Sequence, residues 1–138
     1  MRLVLALLLL GAALSGAQAA ELVVTVDGMR STKGDIRLSI YDSAAQWPDN
    51  APPGRGGVEK VRGPTVVFRF DLPPGVYAIN GFHDENGTGK FETNFLGLPE
   101  EGYFFSNNVH PFLSAPSFAS ASFRLPPEGA AITIHVIY

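Results

Sequence analysis

Hydrophobic residues recur at every second position along most of this chain, and beyond residue 20 no stretch carries a 3.6-residue stripe. In "ELVVTVDGM", Leu22, Val24 and Val26 share one face. In "GDIRLSIYD", Ile36, Leu38 and Ile40 oppose Arg37, Ser39 and Tyr41, after a turn over Ser31 to Gly34. "TVVFRFDL" sets Val66, Phe68, Phe70 and Leu72 against Thr65, Val67, Arg69 and Asp71, and Pro73-Pro74-Gly75 opens a fourth run, "GVYAINGFH". "FASASFRL" offers Ala119, Ala121, Phe123 and Leu125 to one side. "AITIHVIY" closes the chain with Ile132, Ile134, Val136 and Tyr138 against Thr133, His135 and Ile137. Six strands separated by Gly/Pro turns, each with one apolar face, predict an all-β fold: a single antiparallel β-sandwich. A seventh short strand is expected at Val58 to Val61 or at Tyr103 to Phe105.

Two connections exceed simple turns. Ser43 to Gly57 begins with a helical turn before Pro48, and Asp84 to Ser117 is read as one long loop rich in Phe and Tyr. Loops beyond about 12–15 residues are usually functional or disordered, and the aromatic content argues against disorder.

The first twenty residues follow a different pattern. Arg2, an apolar run from Leu3 to Leu14 and the small-x-small triplet Ala17-Gln18-Ala19 read as a cleaved export signal. The run is too short to span a bilayer of about 30 Å, which leaves no transmembrane segment in the mature chain. Residues 21–138 then form one domain of an exported, periplasmic or secreted protein. The chain has no cysteine, so neither a disulfide nor a thiolate metal site contributes. A formal net charge of −3 removes the basic patch that nucleic acid requires.

Candidate chemistry concentrates in "HDENGTGKFETN", residues 83–94. Counted as a calcium loop, it presents Asp84, Asn86 and Thr88 at alternate positions, then Gly89, the Lys90 carbonyl and Glu92. Gly89 permits the positive φ of the curl. The twelfth position, where a bidentate glutamate belongs, is Phe95, leaving Asn94 as a stand-in. Any calcium affinity is therefore expected near ~10⁻⁴–10⁻³ M. The alternative is a metal-free turn in which Asp84 and Asn86 bond their own backbone.

Tyr103, Phe104, Phe105 and Phe112 could line a ligand pocket, or could be the private core of the loop that carries them. His83, beside Asp84, is a candidate to orient the acidic loop and to join that pocket. No nucleophile elbow, catalytic cysteine or zinc-protease motif is present, and Ser106 with His110 and Asp42 makes a triad only on paper.

Three segments carry a resemblance: Leu72 to Ala78 ("LPPGVYA"), His83 to Lys90 ("HDENGTGK") and Thr93 to Asn107 ("TNFLGLPEEGYFFSN"). With Pro116 to Phe123 ("PSFASASF"), they resemble a bacterial family of small exported proteins known as domain of unknown function 2141. The "L-P-x-G-x-Y" start is also similar to transthyretin-like and immunoglobulin-like sandwiches, which implies that Tyr77 is a core residue. Family members often carry Asn or Asp where this chain has Thr88. The resemblance brings no reaction with it. Three functions follow as expectations: a binding module for a small or extended ligand, an envelope assembly protein meeting a protein partner, or a small hydrolase.

Overall fold

The computed structural model describes residues 18–138. The segment read as an export signal, residues 1–20, lies almost wholly outside the described residues. The chain forms eight strands, β1 (Ala20–Asp27), β2 (Asp35–Tyr41), β3 (Gly56–Lys60), β4 (Thr65–Leu72), β5 (Gly75–Asp84), β6 (Tyr103–Phe105), β7 (Phe123–Leu125) and β8 (Ala130–His135). Both places proposed for a seventh strand are strands. One sheet has the order β4-β1-β8; the other has β3-β2-β5-β6, with β7 also paired to β5.

The alternation seen in the sequence becomes registered rows on the inner faces. In the first sheet Phe70, Leu22 and Ala130 align, then Phe68, Val24 and Ile132, then Val66, Val26 and Ile134. The second sheet answers with Ile36 opposite His83, Leu38 and Phe104 flanking Gly81, and Ile40 opposite Ile79. Nearly all these side chains are buried in one continuous core. Apolar burial of this kind contributes about 25 cal/mol per Å², and it alone holds a chain without disulfides. Tyr77 is part of this core and donates its hydroxyl to the Pro73 carbonyl at 2.6 Å.

Three local expectations are corrected. The sandwich is antiparallel except at one seam, where β1 and β8 run parallel. "FASASFRL" is not one strand: Phe118–Ala121 is a single helical turn (α1), and only Phe123–Leu125 pairs. The cause is Ser117, whose side chain accepts from the Ser120 N–H and so caps a turn that an apolar alternation disguises. Finally, the 34-residue loop is interrupted by β6, because Tyr103 to Phe105 alternate across a sheet edge.

Candidate functional site

The outer face of the second sheet is not bare. Register places Arg37, Phe82 and Tyr103 in one row there, and Ser39, Asn80 and Phe105 in the next. Tyr41 follows on the same face. Three connections rise around these rows and enclose a half-open groove of about 690 Å³. Pro48 and Asp49 come from the segment after β2, Phe91, Leu98 and Pro99 from the segment after β5, and Pro111, Leu113 and Ala115 from the segment after β6.

Ring contacts run through the site without a break. Phe82 meets Phe91 at 5.6 Å, Phe91 meets Tyr103 at 6.1 Å, Tyr103 meets Phe105 at 6.0 Å, and Phe105 meets Trp47 at 6.0 Å. Trp47 then packs edge-on to Tyr41 at 5.0 Å. Such pairs contribute about 0.5–1.5 kcal/mol each beyond burial. Hydrogen bonds hold the first wall: Asn80 Nδ2 donates to the Pro48 carbonyl at 2.9 Å, as does the Tyr41 hydroxyl, and Trp47 Nε1 donates to Pro116 at 2.7 Å.

The candidate ligand-binding residues therefore divide. Tyr103 and Phe105 line the groove. Phe104 does not, because alternation turns it into the core, where it is fully buried. Phe112 stands 86 % exposed at the tip of its connection, outside the groove lining. His83 lies on the inner face with no exposure. Its Nε2 must donate to the Lys33 carbonyl at 2.6 Å, so its Nδ1 accepts from the Tyr138 hydroxyl at 2.7 Å. Both nitrogens are engaged away from the acidic loop, so His83 orients the chain's end instead. Ser106 is likewise buried, its hydroxyl bonded to Ile79 and Ala121, and forms no catalytic partnership with the exposed His110.

The acidic loop meets the groove at Phe91. Asp84 is buried, and its carboxylate accepts from the Thr88 N–H at 3.1 Å, the Gly89 N–H at 2.8 Å and Arg37 Nε at 2.8 Å. Burial pushes this carboxyl up, but the Gly89 N–H, the Arg37 guanidinium and the Thr88 N–H together hold it below the usual carboxylate range. Gly87 and Gly89 take the positive φ, 71° and 76°, that the curl requires. Asn86 Nδ2 lies 3.2 Å from both oxygens of Glu92, and the Thr88 hydroxyl donates to the Lys90 carbonyl at 3.2 Å. Asn94 is committed elsewhere: its Oδ1 accepts from the Leu96 and Leu98 N–H groups and fixes the next turn. Among the described residues, no three His, Asp or Glu side chains converge closely enough to hold a metal by themselves.

Sequence reasoning missed Arg37, Asn80, Phe82 and Phe91 in the groove, Trp47 packed behind its Tyr41 and Phe105, and Glu101 behind the acidic loop. Outward alternation in "GVYAINGFH" marks Asn80 and Phe82, so that signal was present. Nothing local marks Glu101. It is only 6 % exposed; Oε2 accepts from the Glu92 N–H at 3.2 Å, and Oε1 has no partner. Burial pushes its carboxyl up against the opposing Glu92 N–H, and the nearby Asp84, Glu92 and Glu85 push the same way.

No helix among the described residues is long and apolar enough to cross a membrane. No curated protein and no solved structure matches the chain. A family model does, over residues 24–133: the protein belongs to the domain of unknown function 2141 family, described as an uncharacterized protein conserved in bacteria.

Proposed function

We propose that this is an exported, non-enzymatic binding module that takes a small or extended ligand of mixed polarity in the groove on its second sheet. The observation that carries the reading is the groove itself, about 690 Å³ and lined by Phe82, Phe91, Tyr103 and Phe105. That volume falls within the roughly 300–1,000 Å³ of ligand sites. Arg37, Ser39 and Asn80 set polar groups into its floor, the arrangement by which an apolar site fixes a ligand's orientation. Export rests on the pattern of residues 1–20.

The chain's only tryptophan touches the groove's end through Phe105 and Tyr41, so it reports on occupancy. Titration with 8-anilinonaphthalene-1-sulfonate, followed by Trp47 emission, should saturate, and Tyr103→Ser should weaken binding by about tenfold. Unsaturable binding that ignores Tyr103→Ser would remove the reading. Export is checked by N-terminal sequencing of the protein recovered outside the cytoplasm, which should begin near Ala20 or Glu21.

A second reading, an envelope protein as the partner, draws on Phe95 and Phe112, which stand 95 % and 86 % exposed on connections beside the groove. Substituting both by Ser would then abolish capture of that partner and leave dye binding intact.

A further inference from the structure

Glu101 is a carboxyl group without a counterpart. It sits just before β6, 6 % exposed, with Oε1 enclosed and unbonded. Asp84, Glu85 and Glu92 surround it closely enough to act on its charge. Two of the neighbouring carboxylates have cations of their own, Asp84 with Arg37 at 2.8 Å and Glu85 with Arg30 at 2.6 Å. An unpaired buried charge costs several kcal/mol, so in this corner of the molecule the carboxylate is met either by a proton or by a positive partner.

The neighbouring oxygens define that partner's chemistry. Glu101 touches the loop at the Glu92 backbone, and the Glu92 carboxylate lies 3.2 Å from the Asn86 side-chain amide. Asn86 Oδ1 accepts from the Thr88 N–H at 3.4 Å, so a half-turn of the amide that set this oxygen beside the Glu92 oxygens would exchange that bond for a cation contact. Thr88 adds a hydroxyl and Lys90 a carbonyl, 3.2 Å apart. All are hard oxygen donors of mixed type on an irregular loop, which suits calcium with its six to eight flexible ligands rather than the strict octahedron of magnesium. Amide, hydroxyl and carbonyl oxygens complete a calcium shell, so two carboxylates suffice where three do not converge.

We propose that Glu101 is the acidic ligand that the loop's own sequence lacks, and that Glu101, Glu92 and Asn86, with Thr88 and the Lys90 carbonyl, form a calcium site. The assignment moves the site away from Asn94, which its turn occupies, and leaves Asp84 as the loop's internal anchor. A cation there ties the residue entering β6 to the segment carrying Phe91 and Leu98. The site does not depend on whether the groove is filled.

Chelator-treated protein titrated with calcium chloride should give a saturable heat with Kd near 10⁻⁴–10⁻³ M. At tenfold excess over Kd its melting temperature should rise by about 5 °C, with less effect from magnesium chloride. Glu101→Gln should abolish both responses, and Glu92→Gln should weaken the affinity at least tenfold, which keeps a readout if Glu101→Gln folds poorly. Absence of heat and of any melting shift at 10 mM calcium would overturn the proposal. So would a calcium response unchanged in Glu101→Gln, or unchanged in Glu92→Gln.

Discussion

At the scale of single residues, Gly81 and Asp84 show how the site's geometry is set by what surrounds it. A Cβ on Gly81 would lie 2.3 Å from the Arg37 carbonyl oxygen and 2.3 Å from Phe104 Cζ. The backbone cannot yield there, so Gly81→Ala should destabilise the protein by about 3 kcal/mol or more in urea denaturation. Asp84 makes a prediction in pH. Its folded carboxyl is held below the ordinary value of 3.8, so its stabilisation is fully present above that value and is lost as pH falls through the depressed one. In chelator, wild-type melting temperature should drop below about pH 3.8, and Asp84→Asn should remove that part of the drop at the cost of lower stability at neutral pH. Asp84 and the glycine curl were legible in "HDENGTGK" because they act within a few residues of one another. Glu101 was not, since its significance comes only from burial and from neighbours on other segments.

At the scale of elements, β6 is the informative one. Three adjacent aromatic residues read as one aromatic strip in sequence; pairing with β5 separates them by face. Phe104→Ala should cost about 3–5 kcal/mol and leave any surviving groove unaltered. Phe105→Ala should cost much less in denaturation yet impair ligand binding. Equal losses for the two would contradict the alternation. Five of the six runs were legible because burial of one sheet face imposes a period of two that no other element shares. α1 escaped because "FASA" satisfies that period while a serine cap decides its geometry. The parallel seam escaped because registers between distant segments leave no mark in either segment alone.

At the scale of the whole molecule, the groove is an assembly of segments far apart in the chain, its floor from β2, β5 and β6 and its walls from three connections. Phe95, Leu96, Phe112 and Leu113 stand out from those connections. Replacing all four by Ser should change the stability by no more than about 2 kcal/mol in urea denaturation, because surface positions contribute within about ±0.5 kcal/mol each. The fold class was visible in the sequence and the groove was not, since it exists only once loops from three places meet over one sheet.

The parallel seam also governs when the fold can form. β1 faces β8 with Leu22 opposite Ala130 and Val26 opposite Ile134. The first strand therefore waits for nearly the last residues before its second edge is paired. High contact order of this kind slows folding, because a long loop closes before its contacts stabilise anything. A chain emerging from synthesis thus cannot complete its first sheet until residues 130–135 are free to pair. A version ending at Gly129 should lack the folded signal in circular dichroism and regain it when a peptide of residues 130–138 is supplied.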